Sequence, residues 1–281
     1  MRRSAILLLA CTLPFSGGVL AQEDLTRLPE PSDDYQPELT SWGEPDFRGG
    51  WPIDHLNGRT PLQRDPQYGN RQLLTEEEYS ERAEMVEALE QRYQNEEESG
   101  TMGMGHWAEV AAANRRTSWI TAPANGRLPE FTVEGQRLSD AMRSTWAQGQ
   151  PFDWVDDFDS WDRCITRGLP VSMLPRNYNN GIRITQSPGY VVIDIEMAHE
   201  ARIIPVDGRP PLDPAIRQWL GESRGYWEGN TLVVETTNFN GVPHMTNIGT
   251  SGSPRLNTPT SEELHITERF TRISDDRLEY E

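Results

Sequence analysis

The chain has 281 residues, 35% of them hydrophobic, and a formal net charge of −18, enough length and apolar content for one large domain. Such a polyanion repels nucleic acid and anionic lipid, which excludes both as partners. Every basic residue is arginine, so a Schiff-base lysine, a pyridoxal phosphate anchor and a P-loop lysine are also excluded.

Arg2 and Arg3, the apolar stretch from Ala5 to Phe15 and the small residues at Val19-Leu20-Ala21 read as a signal peptide (1–21) cleaved after Ala21. Leu8-Leu9-Ala10-Cys11 is a loose lipobox that would make Cys11 a lipidated terminus, but the apolar run continues past it, which favours cleavage after Ala21. The stretch is too short and too interrupted to span a bilayer, and no later segment is apolar enough. The mature chain is therefore expected to be periplasmic or secreted, with no membrane insertion. Cys164 is then its only cysteine, so no internal disulfide forms, and it is expected to be a small buried hydrophobe, not a thiol nucleophile.

Residues 22–44 are rich in Pro, Asp, Glu and Ser and read as a linker or extended arm. A single β-rich domain is expected over 45–281, entered at Gly49-Gly50-Trp51. The spacing of Tyr79, Ala83, Val86, Leu89 and Tyr93 predicts a helix over about 74–94, with Thr75 and Glu78 as a capping box. A second helix is predicted over about 133–146, capped by Thr132. From Gly181 the period becomes two. Six short strands are predicted, at 181–185, 190–196, 201–206, 231–239, 264–273 and 277–281, separated by turns such as Ser187-Pro188-Gly189 and Glu228-Gly229-Asn230. Strands without long intervening helices argue for an antiparallel meander, and curling would relieve its edges. The expected fold is mainly β: a lipocalin-like antiparallel β-barrel or half-barrel with N-terminal helices. Arg277-Leu278-Glu279-Tyr280-Glu281 alternates like a strand and then stops, so a fragment lacking its closing strands is also an expectation.

Arg163-Cys164-Ile165-Thr166-Arg167-Gly168-Leu169-Pro170, His199-Glu200-Ala201-Arg202-Ile203-Ile204-Pro205 with Asp207-Gly208-Arg209, and Ser223-Arg224-Gly225-Tyr226-Trp227-Glu228-Gly229-Asn230-Thr231-Leu232-Val233-Val234-Glu235-Thr236 form long blocks, closed by Glu268-Arg269-Phe270. From Pro45 to the end the chain resembles the N-terminal half of a large family of exported bacterial proteins. That resemblance implies export and kinship; it brings no activity, cofactor or catalytic residue with it. The chain departs from the family pattern in lacking its C-terminal strands.

Two groups of residues could carry chemistry. Glu196, His199, Glu200 and Arg202 lie close in sequence. On one unbroken strand the two glutamates and the arginine would share a face, with His199 opposed, whereas a turn near Met197–His199 would change that pairing. A histidine oriented by a carboxylate moves protons without a cofactor; the bland alternative is a solvated strand end paired with Arg202 and Arg209. A metal site would need Glu196 and His199 on a helix, which the β-branched flanks oppose. Glu268 lies in an apolar row with Leu264, Ile266 and Phe270, so it is either ion-paired with an arginine on a neighbouring strand, such as Arg183 or Arg202, or aimed into a cavity. Trp227, with Tyr226, Phe239, Trp219 and Trp161, offers aromatic surface, and Arg202, Arg209 and Arg224 could clamp a ligand at a barrel mouth. The leading expectation is a barrel that binds a small, partly apolar ligand and needs no cofactor. A cofactor-independent isomerase, hydratase or lyase using His199 with Glu196, Glu200 or Glu268 is the alternative, and an assembly protein docking through its acidic helix is a third.

Overall fold

The computed structural model describes residues 23–29, 35–52, 60–141, 151–158, 160, 162–175, 178–242 and 260–281. The signal-peptide segment, Cys11 and Trp161 lie outside them, as does the end of the second predicted helix.

Thr75 opens the long helix α1 (Glu76–Ser99): its hydroxyl accepts the Glu78 N–H and the Glu78 carboxylate accepts the Thr75 N–H. Arg71 grips the same carboxylate through two hydrogen bonds of 2.9 and 2.7 Å and, with the Thr75 contacts, holds its pKa down at about 2. Arg82, Val86, Leu89 and Tyr93 form the buried stripe. Against it packs the 104–106 turn, where a side chain on Gly105 would lie 2.5 Å from the Tyr93 carbonyl oxygen. Two buried arginines organise the surrounding loops by donating to oxygens: Arg64 to Thr117 and the Ala124 carbonyl, and Arg82 to Thr60 and the carbonyls of Asn114 and Arg116. A short helix α2 spans Val133–Ala141.

The rest of the described chain is mainly β. Strands β1 (Gly49–Pro52), β2 (Gly181–Ser187), β3 (Tyr190–Ile195) and β4 (Glu200–Pro205) form one antiparallel sheet in that order. Strands β5 (Glu222–Glu228), β6 (Thr231–Thr237), β7 (Ile266–Ser274) and β8 (Arg277–Tyr280) form a second, also in chain order. Alternation buries one face of each. Ile182, Ile184, Val191, Ile193, Ile195 and Ile204 from the first sheet meet Leu232, Val234 and Phe270 from the second, with Phe47, Leu169, Met173, Met197 and Phe239 completing one core. Among the described residues no backbone ladder joins the two sheets, so the strands make two meanders and not one closed barrel.

The short, glycine-rich β1 falls where the entry to the fold was expected at Gly49-Gly50-Trp51, whereas β5 was not among the strands read from the sequence. β5 reads as charged residues around a glycine, because its inward positions are Ser223, Gly225 and Trp227 and not a β-branched row. The glycine is required there: a Cβ on Gly225 would sit 2.8 Å from Val206 Cγ1 and 2.9 Å from Ile204 Cγ2, so β4 packs directly onto the β5 backbone.

Candidate functional site

On β4, Glu200, Arg202 and Ile204 point inward, while Ala201 and Ile203 face out. On β7 the inward pair is Glu268 and Phe270. The registers set Glu268 opposite Val234 on β6 and Phe270 opposite Tyr280 on β8. Arg202 therefore reaches from one sheet into the other. Its two terminal nitrogens meet the two Glu268 oxygens at 2.8 and 2.5 Å, and the side chains are 1% and 2% exposed. The Tyr280 hydroxyl donates to Glu268 Oε1 at 2.9 Å, and the Ser223 and Thr236 hydroxyls lie 3.4 and 3.5 Å from Arg202 Nη2 and 2.9 Å from each other. Burial works against the Arg202 charge, but the facing Glu268 carboxylate more than offsets it and holds the guanidinium pKa above its ordinary value. Burial, followed by the same carboxylate, pushes the Tyr280 phenol well up.

Glu200 is another buried carboxylate, on the same inward face as Arg202. It is held from the other side by the loop after Ser160. The Thr166 hydroxyl and the Arg167 N–H (3.1 Å) donate to Oε1, and the Ser172 hydroxyl donates to Oε2 at 2.8 Å. The interior thus carries a polar seam of Glu200, Arg202, Glu268 and Tyr280, bordered by Ser223 and Thr236. The core packed around it is otherwise largely apolar.

The remaining predicted residues do not join it. A turn at Met197–His199 separates β3 from β4, with Ala198 and His199 in the left-handed region at φ 61 and 55. It puts His199 and Glu196 on the exposed surface, where Glu196 accepts the Gly181 N–H at 3.0 Å. The unbroken-strand pairing of Glu196 with Glu200 and Arg202 is therefore corrected. Arg209 is exposed, hydrogen-bonded to Asp207 and stacked over Tyr190 at 4.8 Å; it draws the Asp207 carboxyl down to about 2. Arg224 lies on the outer face of β5, ion-paired with Glu222. The three arginines therefore do not share one mouth. Trp227 does face inward, edge-on to Phe47 at 5.1 Å between ring centroids, whereas Tyr226 is exposed. Cys164 is exposed at φ 56, not the buried hydrophobe expected.

Among the described residues no cluster of His, Cys, Asp or Glu could hold a metal ion. No helix there is long and apolar enough to cross a membrane. Sequence reasoning singled out Glu268 and named Arg202 as a partner, but it missed Tyr280, Thr166 and Ser172. The alternation of 277–281 was the available signal for Tyr280; Thr166 and Ser172 come from a loop with no periodicity. Comparison with known proteins finds no matching family model, no matching curated protein and no matching solved structure.

Proposed function

We propose that the protein binds a small, partly apolar molecule between its two sheets, which together act as a lipocalin-like half-barrel. The observation that carries this reading is the bidentate Arg202–Glu268 pair set in the middle of an apolar interior, with three hydroxyls around it. A buried ion pair is a poor device for stability, because well-packed apolar residues of similar volume serve as well or better. Its presence calls for a further role. A few fixed polar groups among apolar walls are what orient a small ligand. The blocks that carry the family resemblance fit this view, since Thr166, Glu200, Arg202, Ser223, Thr236 and Glu268 all come from them.

The acid–base alternative has less support. Its histidine and Glu196 face solvent, and its two buried carboxylates are each saturated by donors. The test is a thermal-shift screen of the mature chain against phenolic, terpenoid, steroid and fatty-acid ligands, with Arg202→Met/Glu268→Leu as the comparison, because a ligand of the native state raises the melting temperature by mass action. At least one class is expected to stabilise the parent and not the double variant. Equal stabilisation of both proteins, or none by any class, overturns the proposal.

A further inference from the structure

β4 and β5 lie against each other as neighbours, yet the backbone ladder stops between them. Side chains alone close this joint. Val206 and Ile204 pack onto the bare backbone of Gly225, and Arg202 reaches Ser223 through one long hydrogen bond of 3.4 Å. The other side of the two-sheet assembly is tied differently. Arg272 of β7 donates to the Asp46 carbonyl at 2.6 Å and stacks over Trp51 of β1 at 5.6 Å, and the Tyr35 hydroxyl donates to Asp275 at 3.0 Å. Among the described residues, parting β4 from β5 breaks no backbone hydrogen bond, although Arg202 must then shift relative to Glu268. Parting any pair within a sheet breaks several, and the β1–β7 side must lose its Arg272 and Tyr35 ties.

On these two strands the buried Arg202 Nε–H and Trp227 Nε1–H have no acceptor among the described residues. They belong to the inward faces of β4 and β5 and flank the Gly225 contact. A buried donor left unpaired is costly, and a ligand acceptor would relieve that cost.

We infer that the β4–β5 joint is the portal to the interior, and that it admits an apolar molecule bearing oxygen acceptors to which the Arg202 Nε–H and Trp227 Nε1–H donate. This rests on the reading of the interior as a ligand site. Opening the joint exposes Ile204, Gly225 and the seam behind them; closing it returns them to the packed state described above.

Two measurements test it, both on the mature chain. The first is thiol labelling of single cysteines in a Cys164→Ser background across a denaturant series, with Ile204→Cys reporting on the joint and Ile184→Cys on β2, because opening the joint exposes side chains and leaves the ladders intact. Ile204→Cys is expected to be labelled well below the global midpoint, ahead of Ile184→Cys. Labelling of Ile184→Cys first, or of both together at the midpoint, overturns the portal without reference to any ligand. The second uses Val206→Cys/Gly225→Cys in a Cys164→Ser background, with 1-anilinonaphthalene-8-sulfonate as an apolar probe carrying oxygen acceptors. Association is expected to be roughly tenfold slower in the oxidised form than after reduction. Equal rates in the two forms overturn the portal. Failure of the probe to bind the reduced form counts against the interior ligand site itself, and thiol labelling then decides the portal alone.

Discussion

Replacing Glu268 by leucine leaves Arg202 charged, 1% exposed and facing only long contacts to Ser223 and Thr236 at 3.4 and 3.5 Å. Glu200, the nearest acid on the same face of β4, is already occupied by Thr166, Arg167 and Ser172. Breaking a buried pair from one side costs about 3–5 kcal/mol, because the surviving charge is uncompensated. At about 2–4 °C per kcal/mol for a domain of this size, the melting temperature falls by roughly 6–20 °C. Arg202→Met/Glu268→Leu removes both charges and is expected to lie within about 1 kcal/mol of the parent or above it. Urea denaturation of the parent, both single variants and the double variant closes a cycle that measures the coupling directly. A cost below about 1 kcal/mol for Glu268→Leu, as for a solvated surface pair, would refute the claim that these charges share a closed interior.

Gly225→Ala drives a methyl group into Val206 and Ile204 and is expected to cost about 1–3 kcal/mol of unfolding free energy in the same assay. Thr75→Ala removes the helix cap and is expected to cost about 1 kcal/mol, read as lost helical signal at lower urea. Glu78 has a folded-state pKa of about 2 against an ordinary 4.5, so its stabilisation is full above the ordinary value and disappears as pH falls toward 2. The melting temperature of Glu78→Gln should accordingly fall short of the parent at pH 6 and converge with it near pH 2; a constant gap across that range would contradict the Arg71 contact as its cause. Glu200→Gln removes the charge on which the Thr166 hydroxyl, the Arg167 N–H and the Ser172 hydroxyl converge and is expected to lose about 1–3 kcal/mol, detectable by calorimetry.

Sequence alternation made the hairpins from Gly181 onward readable, because Ile182, Ile184, Ile193 and Ile195 repeat at period two and Ser187-Pro188-Gly189 marks the turn between their strands. The inward direction of Glu268 was legible for the same reason, since it interrupts the row containing Ile266 and Phe270. Its partner was named, but as a neighbour in one sheet; Arg202 comes from the opposite sheet, a separation that period alone does not encode. The turn at Met197–His199 was the decisive local detail. It reverses the chain, so Glu196 and Glu200 fall on different sides despite their spacing. The loop that caps Glu200 lacks any repeat, and its role emerges only when Thr166 and Ser172 are brought to β4 by the fold.

The most direct test of the interior site is the Nε–H resonance of Arg202, assigned by its loss in Arg202→Met, followed while a ligand from the thermal-shift screen is added. Binding between the sheets should move or broaden that signal and leave the exposed Arg209 signal in place. An Arg202 resonance that stays fixed at saturation would locate the ligand elsewhere and remove the seam from the function.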